Sequence, residues 1–142
     1  RGRGIAIVES FGTIVAEVVE ASMGEDGRPV VHKVWAVVDC GTTVNPLNGE
    51  AQIAGGIVMG LSATIGEAIT LDKGAVVQSN FTDYPLLKLA EAPEIDVFFI
   101  ESGAKMGGLG EPGVPPVSAA LTNALFAATG TRIRELPIVK SA

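Results

Sequence analysis

One cysteine, Cys40, in 142 residues excludes an intrachain disulfide, and it excludes any metal or iron–sulfur centre built from this chain's own thiolates. One histidine, His32, lies among strand-forming residues and reads as a partly exposed strand position rather than a ligand. Basic residues are few: ten Lys and Arg against sixteen Asp and Glu give a net charge of −6. The ten are scattered, with small concentrations only at Arg1/Arg3 and Arg132/Arg134, so nucleic acid is excluded as a partner, because neutralising phosphates needs clustered cations. No apolar run reaches membrane-spanning length, since glycines and polar residues interrupt the richest stretch, 53–65. The start, Arg1-Gly2-Arg3-Gly4-Ile5-Ala6-Ile7, lacks a signal-peptide layout and an initiating Met, and reads as the middle of something longer. There is no internal repeat and no low-complexity linker.

What is present is apolar. Hydrophobic residues make up 47% of the chain and charged residues only 18%, less charge than a free-standing soluble domain usually carries. A chain of this length suits one compact domain with a real core. The low charge fits surfaces covered by other parts of a larger protein, because surface that is never wet need not be polar.

Residues 4–23, rich in Ile and Val with Glu9, Glu17 and Glu20 interspersed, predict one strand or two with a bend. Gly24-Glu25-Asp26-Gly27-Arg28-Pro29 is a turn, and the β-branched run from Val30 to Cys40 completes a hairpin across it. After the loop Gly41–Pro46 the period changes. Ile53, Ile57, Gly60, Leu61 and Thr64 recur at helical spacing, predicting a helix over about 48–66. Gly49, Gly55, Gly56 and Gly60 would weaken that helix in solvent, by about 1 kcal/mol each, so it belongs where another backbone or a ligand approaches closely. A second hairpin is expected over 68–80 around Asp72-Lys73-Gly74, and a strand over 94–101 whose mixed parity suggests burial on both faces. Val117 to Thr129 predicts a helix with Pro115 and Pro116 at its entrance and Gly130 ending it. Residues 132–139 read as a last strand. The fold class is α+β, mostly antiparallel strands packed with two main helices, in a single domain over 1–142. Asp39 and Asn45 read as loop-stabilising Asx residues, Cys40 as a small buried residue, and Met23, Met59 and Met106 as packing.

Gly108-Leu109-Gly110-Glu111-Pro112-Gly113 matches G-x-G-x-x-G after a strand and before a helix. A dinucleotide site fails on donors and on charge. Pro112, Pro115 and Pro116 stand where N–H groups would meet a pyrophosphate, and Glu111 brings a negative charge. A P-loop is excluded because no Gly-Lys-Ser/Thr follows. A glutamate among glycines, prolines and a leucine is instead expected to be tightly fixed and poorly solvated, as suits a general base; the alternative is that Glu111 caps the following helix or merely turns the chain.

This loop, followed by an Ala-rich helix, resembles the active-site loop of the xanthine dehydrogenase and aldehyde oxidoreductase family. Four further stretches resemble the same family in order: Arg3–Ala6 with Ser10-Phe11-Gly12, Val38–Pro46, Gln52–Gly60, and Asn80-Phe81-Thr82-Asp83-Tyr84-Pro85. Their wording is most similar to the isoquinoline 1-oxidoreductase-like branch. The resemblance implies the C-terminal part of a molybdenum subunit that binds molybdopterin, in bacteria often as the cytosine dinucleotide. It implies Glu111 as the general base in water-derived oxidation of an aldehyde or N-heterocycle, Gly110 as the residue that lets the cofactor approach, and Gln52 as a hydrogen-bond partner of the pterin. No metal ligand is implied on this chain. Phe81 and Tyr84 are expected on a segment lining the substrate funnel. The implied partners are the remainder of the molybdenum subunit and a 2Fe–2S subunit or domain, and the isolated 142 residues are expected neither to hold the cofactor tightly nor to turn over. Two other classes stay open at this point: a non-catalytic binding or assembly module that keeps the fold, and a self-associating structural domain.

Overall fold

The computed structural model describes residues 1–139. β1 (Gly2–Ser10) and β2 (Thr13–Met23) form a hairpin whose two-residue turn, Phe11-Gly12, has positive φ at both positions (56° and 72°), a geometry that matches the twist of paired strands. The run 4–23 is therefore two strands. β3 (Pro29–Asp39) returns antiparallel to β2 across the Gly24–Arg28 turn, closed by Gly24 N–H donating to Arg28 O at 2.8 Å, with a bulge between Glu20 and Ala21. α1 (Pro46–Ile65) follows, starting two residues before the expected position because Asn45 caps it: its side chain accepts from Asn48 N, and Pro46 follows as first helical residue. A two-stranded ribbon, β4 (Leu71–Asp72) with β5 (Ala75–Val76), occupies the predicted second hairpin. β6 (Glu94–Phe99) then pairs parallel with β3, completing a sheet of order β1-β2-β3-β6. α2 (Pro115–Thr129) ends at Gly130, which takes the left-handed conformation at φ 75°.

Both helices lie on one face of the sheet, and the α+β class holds, with mostly antiparallel strands. Val15, Val19, Val34 and Val38 meet Ile53, Ile57 and Leu61 of α1 and Val117, Leu121 and Leu125 of α2, all fully buried. Each such side chain contributes about 1.5–3 kcal/mol by burial. Gly4 on β1 allows α2 to rest directly on the strand, since a Cβ there would collide with Ala120 O and Ala124 N. The other face of the sheet is open and unusually apolar. One cross-strand row runs Ile7–Ala16–Val37–Phe98, and Ile5, Ile7 and Phe98 are 63%, 67% and 54% exposed. A charged row borders it, with Arg3 bonded to Glu20 at 2.9 Å and Lys33 to Glu94 at 2.8 Å.

Three expectations are corrected. β6 is an edge strand, half-buried on its inner face and not buried on both. Residues 132–139 form no strand. Ile138 and Val139 donate their N–H groups to Thr64 O and Ile65 O, so the segment caps carbonyls left unpaired at the end of α1, and Pro137 has no N–H for a ladder. The methionines do not pack inside: Met59 and Met106 are 66% and 60% exposed.

Candidate functional site

The 103–114 segment, rich in glycine and proline, carries no regular structure, yet it is fastened at both ends. Gly107 N–H donates to Cys40 O at 3.0 Å and Gly108 N–H to Phe11 O at 2.9 Å, while Thr13 Oγ1, fully buried, donates to Gly108 O at 2.7 Å. The loop is thus seated on the β1–β2 turn and the end of β3. Gly107 is required by this seat, because a Cβ there would collide with Gly12 O and Thr13 Oγ1. Beyond Glu111 the chain tightens, with Val114 N–H donating to Glu111 O at 2.9 Å, and Gly113 lies against Ile53 O of α1.

Gln52 reaches across from α1. Its Nε2 donates to Gly110 O at 2.6 Å, joining residues 58 apart in sequence. Because Gly110 offers a carbonyl, the amide nitrogen turns toward it, which leaves Oε1 and the second N–H for another partner. Gly110 is exposed, and a Cβ added there would meet nothing within 4 Å, so open space adjoins its Cα. Glu111 is also exposed, and this corrects the expectation of a poorly solvated carboxylate. Nor does its side chain cap α2, whose N-cap is Val114 without a side-chain bond. Beside Gln52 a cleft of about 320 Å³ is edged by Thr42, Val44, Asn48, Met106 and Leu109. The arrangement offers amide donors and acceptors, an apolar rim and a glycine with clearance, a donor set that fits a flat polar heterocycle. Among the described residues no group of three or more His, Cys, Asp or Glu could hold a metal ion.

Asp39 and Asn45 support the cleft through separate Asx contacts. Asp39 Oδ1 accepts from Gly41 N at 3.1 Å and from Ser102 Oγ at 2.7 Å, which ties the loop after β6 to the end of β3. Cys40 is buried, and His32 is bonded to Ser22 at 2.8 Å on strand positions. Phe81 and Tyr84 line a different cleft, with Ile69 and Gln78, that shares no residue with the one beside Gln52. Tyr84 donates its hydroxyl to Glu67 at 2.7 Å, a bond that raises the tyrosine's pKa. A third cleft, of about 280 Å³ between Arg28 and Leu87–Ala92, lies at the opposite end of β3. Sequence reasoning did not single out Thr13 or Gly107, which seat the loop, or Glu17, buried in the core with no partner on either oxygen.

A family model described as a molybdopterin cofactor-binding domain matches residues 6–93. The chain is 38% identical over 136 residues to isoquinoline 1-oxidoreductase subunit beta of Brevundimonas diminuta, an alignment that covers 95% of this chain. The chain belongs to the molybdopterin-binding xanthine dehydrogenase family. Another relative, the aldehyde oxidoreductase molybdenum-binding subunit PaoC of Escherichia coli K12, is 33% identical over 120 residues, covering 79% of this chain. In three dimensions the chain is similar to quinoline 2-oxidoreductase from Pseudomonas putida 86, with a TM-score of 0.76 and 27% identity over 89% of this chain. This member of the molybdopterin-binding family spans 17% of the isoquinoline relative, 16% of the aldehyde relative and 17% of the quinoline structure. No helix among its described residues is long and apolar enough to cross a membrane.

Proposed function

We propose that this chain forms one wall of the cofactor site in a longer molybdenum-binding subunit that hydroxylates an aldehyde or an N-heterocycle. The observation that carries the reading is the Gln52–Gly110 hydrogen bond, which fixes an amide on α1 and the Glu111 loop as one unit beside an open cleft. Gln52 would hold the pterin through its remaining amide groups, and Gly110 would give the cofactor clearance. When bound, molybdopterin with molybdenum, in the cytosine dinucleotide form, supplies the two-electron redox centre and activates water. Glu111 is the general base: its carboxylate accepts a proton from the oxygen nucleophile, and Pro112 and the Val114–Glu111 turn restrict its backbone to one direction. In the assembled subunit the carboxylate is covered by segments outside this chain, which restores the desolvated setting that the isolated fold lacks.

The substrate class is supported by the names of the relatives, which include an isoquinoline oxidoreductase and an aldehyde oxidoreductase. Electrons leave through 2Fe–2S clusters on another subunit or domain, since Cys40 is the only cysteine here and is buried. The remainder of the molybdenum subunit supplies most cofactor contacts, so the 142 residues alone neither retain molybdenum nor turn over. The test is molybdenum and pterin content of the full-length protein with Gln52→Ala against wild type. A drop of about tenfold or more in retained cofactor supports the reading. Wild-type protein free of molybdenum would refute it in favour of an assembly module.

A further inference from the structure

Among the described residues Glu17 is the one acid that the fold puts fully inside, with no hydrogen-bond partner on either carboxylate oxygen. It lies on β2, on the same face as Thr13, which holds the loop, and four residues further along the strand. The register pairs it with Ala6 on β1 and Ala36 on β3, two small residues. Along β1, Gly2 lies beneath Ala124–Ala128 of α2 and Gly4 beneath Ala120–Ala124, so a step of two strand residues corresponds to four helix residues. Carried one step further, the same spacing brings Ala6, which packs against the core, toward Pro116–Ala120 at the first turn of α2. Four residues back on β2 and on the same face, Thr13 holds Gly108 O. Along β2, Glu17 thus follows the Thr13 anchor of the Glu111 loop and pairs with Ala6, the strand position that this spacing directs to the start of α2.

Nothing charged faces it. Among the described residues, the inward positions on β1, β3, β6 and α1 and the buried face of α2 are apolar, glycine, Ser or Thr, and Cys40, just past β3 on the Thr13 side, is the other titratable group in the core. A carboxylate without a counter-ion or donors in such a place draws in water or moves what covers it. We propose that Glu17 is a positioning residue for the 108–114 loop: it keeps α2 seated on the sheet while it is protonated, and its ionisation releases the first turn of α2 and with it Glu111. The inference rests on Glu111 being the base. Burial pushes the Glu17 carboxyl up to about 8. With a folded value above the ordinary 4.5, the seat is fully secure only below about 4.5, weakens as pH rises, and has lost this contribution once pH passes about 8.

The test uses the full-length, cofactor-loaded protein with Glu17→Gln and Glu17→Leu, neither of which can ionise. The first readout needs no activity: hydrogen exchange of amides 108–118 at pH 7 and pH 9, corrected for intrinsic rates. Wild-type protection is expected to fall about tenfold, as a group one unit above its pKa is about ten parts ionised to one, while both variants keep theirs. The second readout is kcat against pH, where the wild type shows a reversible alkaline limb near pH 8 that both variants lack. Equal loss of protection in wild type and variants overturns the proposal, as does an alkaline limb unchanged in the variants. Glu111→Gln protein that keeps its full rate while wild type still shows the Glu17-dependent exchange would contradict Glu111 as the base while supporting the Glu17 seat.

Discussion

Replacing Gly107 by alanine puts a methyl group against Gly12 O and Thr13 Oγ1, where backbone on one side and a buried hydroxyl on the other cannot yield. The loop must lift, and three hydrogen bonds go with it: Gly107 N to Cys40 O, Gly108 N to Phe11 O, and Thr13 Oγ1 to Gly108 O. At about 1 kcal/mol each, with strain added or partly relieved by the shift, the loss is about 2–4 kcal/mol of local stability. Gly110→Ala, three residues on, is expected to behave in the opposite way. Its added Cβ meets nothing in this chain and its φ is not in the left-handed region, so stability stays within about 0.5 kcal/mol of wild type. Yet the methyl group enters the space assigned to the cofactor, so molybdenum content or turnover falls. The assay compares thermal midpoint, exchange at amides 107–110 and bound molybdenum for both variants in the full-length protein. If Gly107→Ala leaves the loop as protected as wild type, the seat is misassigned. If Gly110→Ala retains full cofactor and full rate, no ligand approaches that glycine.

Leu121→Ala, at a fully buried site on α2, is expected to destabilise by about 2–5 kcal/mol, read from the shift of the unfolding midpoint. Thr13→Val keeps the shape but removes the donor to Gly108 O; it costs about 1–2 kcal/mol and speeds exchange at 108–110. The turn at 79–83 is acid-sensitive. Asp83 accepts from Ser79 N at 3.0 Å and Asn80 N at 2.8 Å, bonds that lower its pKa. A depressed folded value makes this contribution present above the ordinary 3.8 and lost as pH falls through the folded value, so exchange at Ser79 and Asn80 rises in acid and Asp83→Asn blunts the response.

Most of the architecture was legible because local chemistry and tertiary structure agree. Asn45 before Pro46, Gly130 after Thr129 and the Gly24–Pro29 turn mark ends that the fold respects. β6 was misjudged in burial because the sequence does not say which strand it joins: after a long excursion it returns beside β3 as an edge, where one face stays open. The strand expected at 132–139 failed because its N–H groups found helix carbonyls first. Glu17 did carry a signal. It shares parity with Val15 and Val19, an acid on the buried side of the alternation, but Ile14, Ala16 and Val18 make the opposite side apolar too, and the parity alone does not say which face is covered. In the loop, the pattern of glycines and prolines disclosed an irregular, anchored segment. The anchors themselves, Thr13 and Gln52, come from residues 95 and 58 positions away, and the exposure of Glu111 belongs to a chain that spans 17% of its isoquinoline relative.

Whether Glu111 is the base is decided by Glu111→Gln in the full-length assembled protein, with molybdenum content and dye-linked oxidation of an aldehyde and an N-heterocycle measured together. The expected result is wild-type molybdenum with turnover reduced by about 10²–10⁴-fold or more. A variant that keeps both its molybdenum and its rate would contradict it.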